Sequence, residues 1–425
     1  MEGFFYPNEA EVTWGLLIVL YPYITGLVAG AFVVSSFYHA FGVQALKPVA
    51  RFALITSLAL VAVAPLPLVM HLGRPERAPE IFMTPNFRSA MAGFGYILLF
   101  YEVLLLAETW LAYRPEIVKR TQSTTGLRRA FYSTLTLGST DLSEKALALD
   151  HRVIKVLALV GIPSAFLLHG YVGFLFGSIK ANPWWSTPLM PIIFLMSAIV
   201  SGVALLIVLY VVVMRLRKQR VDQRSLAEMS KWLFVFILVD FALEGLEVLS
   251  MAYESDEAWQ VVSHLLRKEL AFSFFGVQML LGVVVPAAVL GWLMLAGRLS
   301  QWRRTALTLA ASMLVLVGIF AMRWNVVIGG QLFSKSFRGY TTYVPPLLGR
   351  EGVLMALALL LAPFAVLAVL SYLLPPWEKE PALDHPEKAA KDLPVPVPTG
   401  LAGKHVHAVT RQQPEDGHRQ PTSAD

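Results

Sequence analysis

Three carboxylates lie where carboxylates are costly. Asp240, Glu244 and Glu247 fall inside the apolar stretch 231–253 at spacing i, i+4, i+7, so a helix puts them on one face. They climb about 10 Å along it, from the inner third of a membrane span to just past its middle. An ionisable group in a bilayer core costs about 3 kcal/mol or more. Like charges this close in a low dielectric cannot all be carried at once, and a file of carboxylates that shares protons has the makings of a proton relay. The plainer reading is structural, with Arg, Lys, Ser, Thr or backbone donors of neighbouring helices neutralising them. Glu102, near the middle of 86–113, is placed to join such a path, whereas Glu108 lies closer to the end of that stretch and can reach the interface by snorkelling.

Two histidines form a second constellation. His71 ends the stretch 49–72 and His169 lies in the outer third of 151–177, at similar depth on different helices. Such a pair suits the axial positions of a b-type haem. It also suits hydrogen bonding and proton transfer to a quinone carbonyl, or simple satisfaction by backbone carbonyls. His71 runs into Leu72-Gly-Arg-Pro75, a helix end and a poor seat for a buried axial ligand. Arg74 and Arg77 flank Pro75 at the membrane edge, where guanidinium groups bind a quinone oxygen, a lipid phosphate or a partner carboxylate. Arg323, in Met322-Arg-Trp-Asn325, reads the same way. His39 sits at the inner end of the first apolar stretch and needs only the interface to explain it.

The elements that position these groups follow from composition. Hydrophobic residues make up 56% of the 425 positions and charged residues 15%, against about 25% charged in a soluble domain; mean hydropathy is +0.59. The expected fold is an all-α integral membrane protein with about nine spanning helices, at 13–40, 49–72, 86–113, 151–177, 188–214, 231–253, 268–296, 304–323 and 350–374. The membrane domain is 1–374, with a connection at 114–150 that has room for a short surface helix. The tail 375–425, rich in Pro, Lys, Glu and Asp, reads as disordered, and its His385, His405, His407 and His418 as solvated rather than metal-binding. An acidic start followed by a long apolar stretch is a retained helix rather than a signal peptide.

Charge sets the orientation. Of the 35 Lys and Arg, nineteen fall in alternate loops from Lys47 to Arg304 and ten in the other set, with six in the tail. The positive-inside rule then puts the N-terminus outside and the C-terminus in the cytoplasm. The chain has no cysteine, which excludes disulfides, thiolate-held iron–sulfur clusters and covalent c-type haem. No nucleotide-binding, zinc-protease or serine-hydrolase motif is present, and nothing beyond scattered basic residues suggests nucleic acid. The outer segments 71–77, 182–188 and 324–349 are punctuated by Pro, Gly and Trp, as a fixed docking face requires.

Trp14-Gly-Leu-Leu-Ile-Val-Leu-Tyr-Pro-Tyr-Ile-Thr-Gly-Leu-Val-Ala-Gly30, His71-Leu-Gly-Arg-Pro-Glu-Arg77 with Asn86-Phe-Arg-Ser-Ala-Met91, and Arg323-Trp-Asn-Val-Val-Ile-Gly-Gly-Gln331 together resemble the NrfD/PsrC family of membrane subunits over most of 13–374. The resemblance implies two four-helix bundles, with an extra C-terminal helix in longer members. It implies a quinone- or quinol-reactive anchor (menaquinone or ubiquinone) without haem or iron–sulfur cluster of its own. The implied partners are an extracytoplasmic iron–sulfur subunit and a catalytic subunit of molybdopterin, hydrogenase or multihaem type. The setting is the cytoplasmic membrane of a bacterium or archaeon. His71, Arg74 and His169 would then bind quinone, and Asp240, Glu244, Glu247 and Glu102 would connect that chemistry to the cytoplasm. The rival classes are an ion-translocating or transporter subunit without a quinone site, a b-haem anchor, and a structural anchor whose pocket has decayed.

Overall fold

A computed structural model describes residues 11–377 apart from Asp256 and Arg298; the tail histidines and the expected disorder of 378–425 lie outside that range. Among the described residues nine long helices follow one another. They are α1 (Leu16–His39), α2 (Gln44–His71), α3 (Ala90–Ser123), α4 (Glu144–Gly177), α5 (Met190–Leu216), α6 (Gln223–Glu254), α7 (Phe272–Leu295), α8 (Gln301–Val327) and α9 (Val353–Leu373). All but α6 are long and apolar enough to cross a membrane. At 32 residues α6 has the length but carries the carboxylates. The count and the helical class are those expected from the sequence.

Local signals set the ends. Ser89 and Ser143 cap α3 and α4 by accepting from the amides of Ala92 and Ala146, each at 3.3 Å, and Asp222 accepts from the amide of Arg224 at 3.0 Å to start α6. Such caps satisfy donors that a helix start otherwise leaves open. Helix α2 breaks at Ala62–Pro65 and resumes at Leu66, because Pro65 has no amide hydrogen to continue the ladder. Helix α7 winds as a π-helix over Phe272–Val284 before reverting to α geometry.

Helices α1–α4 form one bundle and α5–α8 the other, with α9 laid against α1 and α2. The bundles meet along α1, whose most apolar stretch is 100% buried, whereas 22% of that of α9 is buried; α1 is the axis and α9 an outer helix. Side chains would hold α1 and α5 apart, but Gly30 meets Gly202 there. A Cβ on Gly30 would lie 2.6 Å from the Cα of Gly202 and 2.5 Å from the carbonyl oxygen of Ala198. Gly282 of α7 and Gly318 of α8 make the same kind of crossing. In lipid, where apolar burial between helices gains little, such close backbone approach is what holds helices together.

The two ends of the molecule gather different loops. At one end the Trp14 amide donates to Gln331 Oε1 at 3.0 Å and the Leu16 amide to the Tyr343 hydroxyl at 3.0 Å. There too Asn182 Nδ2 donates to the Gly330 carbonyl at 2.6 Å. At the other end Tyr132 donates to the Leu373 carbonyl at 2.9 Å, the Asp222 amide to the Tyr210 hydroxyl at 3.1 Å, and Trp377 Nε1 to the Pro48 carbonyl at 3.0 Å. Arg114, almost wholly buried at this second end, pairs with Asp150 at 2.5 Å. The loops at the second end are those of the Lys- and Arg-rich set.

Candidate functional site

At the Trp14 end the first bundle lines a half-open cavity of about 620 Å³, a size common for small-molecule sites. Trp14 and Ile18 of α1, Leu68 of α2, Phe94 and Leu98 of α3 and Phe176 of α4 give it apolar walls. The restart of α2 after Pro65 brings His71 to the same wall. The polar side chains on it are Tyr21, His71 and Arg77. His71 Nδ1 lies 3.0 Å from Glu351 Oε1. A carboxylate accepts, so Nδ1 donates and Nε2 is the ring's remaining polar atom. Arg350 fixes this corner by donating from Nε to the Met70 carbonyl. The Tyr21 hydroxyl is buried and has no hydrogen-bond partner among the described residues, a deficit of about 1–3 kcal/mol that a ligand oxygen would relieve. Arg77 is exposed and bonded to Glu80 Oε1 at 2.7 Å. That bond holds the Glu80 carboxyl below the usual carboxylate range. Arg74 is exposed and does not line the cavity.

His169 lies elsewhere. It is fully buried, and its Nε2 is 3.1 Å from Nη2 of Arg323. A guanidinium only donates, so Nε2 accepts and the imidazole proton sits on Nδ1, an atom with no partner among the described residues. Nη2 of Arg323 also donates to Ser197 Oγ at 2.7 Å and to the Phe194 carbonyl at 3.3 Å. The guanidinium carbon sits 4.0 Å above the Phe194 ring centre. The two histidines therefore do not share a cavity, and His169 has given its Nε2 to an arginine.

Arg323 also interacts electrostatically with Asp240 and Glu244. Both carboxylates are buried, as the i, i+4 spacing requires of one inward face. Glu244 Oε2 accepts from Gln278 at 3.0 Å, Gln278 Oε1 from Asn325 at 2.8 Å, and Asn325 Oδ1 from Ser273 Oγ at 2.6 Å. Ser273 and Gln278 both belong to the π segment. Five residues apart, they would point about 140° away from each other on an α-helix; the wider winding brings both to Asn325. Glu244, Glu247, Gln278 and Asn325 line a cavity of about 30 Å³, room for about two waters. Asp240 Oδ1 and Glu247 Oε1 are buried and unpartnered among the described residues.

Glu102 is partly exposed on α3, and no hydrogen bond or ion pair joins it to this chain among the described residues. Glu108 is fully buried, 3.5 Å from His39 Nδ1, which itself lies 3.0 Å from Ser35 Oγ. Among the described residues no group of three or more His, Cys, Asp or Glu is placed to hold a metal ion.

The profile of the family described as polysulphide reductase, NrfD, matches residues 6–335. This chain belongs to the NrfD family. It is 32% identical over 322 residues to a selenate reductase subunit of Mesobacillus selenatarsenatis, covering 74% of this chain and 73% of the relative. It is 29% identical over 309 residues to a putative dimethyl sulfoxide reductase membrane subunit of Halobacterium salinarum (72% and 66% covered). Protein NrfD of Escherichia coli is 26% identical over 330 residues (76% and 96% covered). The NrfD match includes the cavity, the carboxylates and Arg323. It stops before α9 and Glu351, so the residue that orients His71 lies outside the part of the chain the family profile covers.

Sequence reasoning missed Tyr21, Glu351 and the Ser273–Gln278–Asn325 chain, and it gave Arg323 and Glu108 no inward role. Glu351 had one signal, a carboxylate two residues ahead of an apolar helix start and opposite His71 in the expected topology. The amide and hydroxyl residues had none, since Gln, Asn and Ser at span positions are read only once their neighbours are known.

Proposed function

We propose that this NrfD-family protein is the membrane subunit of a respiratory oxidoreductase complex, exchanging electrons between a partner's iron–sulfur cluster and the quinone pool. The observation that carries the reading is the apolar cavity of about 620 Å³ with His71 and an unpartnered Tyr21 hydroxyl on its wall. A quinone supplies a flat apolar ring, a prenyl tail and two carbonyl oxygens, and takes up two protons with two electrons. Phe94, Leu98 and Phe176 suit the ring and tail, the Tyr21 hydroxyl suits a quinone carbonyl oxygen as donor, and His71 Nε2, unprotonated in this tautomer, suits a quinol hydroxyl as acceptor. Glu351 holds His71 in the tautomer that leaves Nε2 to the ligand and is itself 40% exposed, so it connects the imidazole to water. Arg77, its charge balanced by Glu80, keeps further N–H donors at the mouth, and Arg74 lies on the same turn.

The loops at this end bear the fewer basic residues, which supports an extracytoplasmic site, with the N-terminus outside and the C-terminus in the cytoplasm. An iron–sulfur partner would dock on that face, and a catalytic subunit on the partner. Asp240, Glu244 and Glu247, with Gln278 and Asn325, form the proposed proton path, and Arg323 links it to His169. Glu102 and the buried Glu108–His39 pair are the groups that would extend the path through the first bundle.

A second reading has a specific observation behind it: no residue of the carboxylate chain lines the large cavity. An ion-translocating subunit without quinone chemistry would need the chain alone. Quenching of a fluorescent quinone analogue separates the two. Saturable binding weakened about tenfold in His71→Ala, the loss of one hydrogen bond, is expected for the quinone subunit. Absence of binding in a folded sample would leave the second reading. Asp240→Asn with Glu244→Gln should abolish membrane-potential generation while sparing analogue binding; an undiminished potential removes the relay.

A further inference from the structure

We propose that the second end of the molecule carries a built site for an anionic phospholipid, between the C-terminal ends of α3 and α9 and the surface helix Gly126–Leu135. A cavity of about 450 Å³ opens there, with Arg120, Arg128, Tyr132, Tyr372, Leu127 and Phe131 among its walls and no carboxylate among the described residues that line it. The chemistry divides into two parts.

The polar part is two guanidinium groups held in place by two phenols. Arg128 Nη2 donates to the Tyr372 hydroxyl at 2.8 Å, and Arg120 Nη1 to the Tyr132 hydroxyl at 3.0 Å. Arg120 is balanced by Glu116, whose Oε1 lies 3.0 Å from its Nε. Arg128 has no carboxylate within ion-pairing distance among the described residues, so the described lining of the cavity keeps a net positive charge. Both guanidinium groups have further N–H donors to offer, and phosphodiester oxygens are the acceptors that match them.

The apolar part decides what carries the phosphate. Leu127 is 91% exposed and Phe131 43% exposed. Four residues apart, they form one face of the surface helix, beside the ends of two membrane-spanning helices. An amphipathic helix presenting such a face lies in the headgroup layer of a bilayer. A free phosphate would gain nothing from Leu127, Phe131 and Leu373, whereas acyl chains lie along them. The bound lipid would bridge α3 and the surface helix to α9, reinforcing the Tyr132–Leu373 and Arg128–Tyr372 contacts that make the present connection.

Full-length protein in mild detergent, titrated with dioleoyl phosphatidylglycerol or dioleoyl phosphatidylcholine and read by native mass spectrometry at stepped collision energy, tests this. Arg88→Gln, at the opposite end, serves as the basic-residue control. Phosphatidylglycerol should stay bound at energies that strip phosphatidylcholine. Arg128→Gln should weaken that binding about fivefold, the share of one arginine near a membrane surface, and Arg88→Gln should not. Phosphatidylglycerol should also raise the unfolding temperature of the wild type and of Arg88→Gln but not of Arg128→Gln. Equal retention of both lipids would mean ordinary annular contact and overturn the proposal. So would undiminished binding in Arg128→Gln, or displacement of the lipid by inorganic phosphate alone.

Discussion

Arg323 shows how much a single residue can organise. Its guanidinium is fully buried, it fixes the tautomer of His169, and its charge reaches Asp240 and Glu244. Arg323→Met keeps the volume but removes the charge and the donors, leaving His169 and Ser197 without their donor and two buried carboxylates without the cation whose field reaches them. Breaking a buried charge constellation from one side costs about 3–5 kcal/mol, so a large fall in the denaturation midpoint in detergent is expected. Arg323→Lys keeps the charge but loses the planar fork, and should fall between the two. A methionine variant as stable as the wild type would show that the carboxylates do not depend on this cation. The carboxylates were legible in the sequence because charge inside an apolar run is conspicuous. Arg323 was not, because the apolar run was expected to end at 323, whereas α8 continues to Val327 and so draws the arginine a full turn inside. Glu108 was misjudged in the same way, since α3 runs on to Ser123.

At the scale of the helix, backbone contact matters more than side-chain bulk. At Gly30 an added methyl would strike the backbone of α5, whereas one on Gly245 meets nothing within 4 Å. Gly30→Ala should therefore destabilise the protein by about 1–3 kcal/mol through overpacking. Gly245→Ala should be neutral or stabilise by about 0.5–1 kcal/mol, since the backbone of α6 is freed of a flexible residue. Thermal unfolding of the two variants in one detergent compares them directly, and equal midpoints would remove the role given to the α1–α5 crossing. The nine long helices could be read from the sequence, eight of them from apolar runs whose length a bilayer core dictates. The π winding of Phe272–Val284 could not. It follows from what Ser273 and Gln278 bond to, and those partners lie on other helices.

Over the whole molecule, two features of the sequence make the topology testable. Basic residues concentrate in the loops of one end, and the chain has no cysteine, so single cysteines can be introduced without background. Arg88→Cys should react with a membrane-impermeant maleimide in intact cells, and Leu127→Cys only after permeabilisation; the reverse pattern would invert the proposed orientation and with it the side of the quinone site. The loop alternation behind this expectation was legible, because charge bias is written along the chain. The joining of distant segments was not, and α1 shows what that joining entails. The amide of Trp14 is satisfied by Gln331, 317 residues further on, and the hydroxyl of Tyr23 by the carbonyl of Leu316. At a synthesis rate of about 5–20 residues per second, those partners emerge from the ribosome about 15–60 s after α1 does. Throughout that interval the helix destined to be the most enclosed can pack on α2, α4 and α5, but its side facing α8 stays open to lipid. Any truncation before α8 leaves that side open for good, which makes it a natural mark by which quality-control proteases would know an unfinished chain.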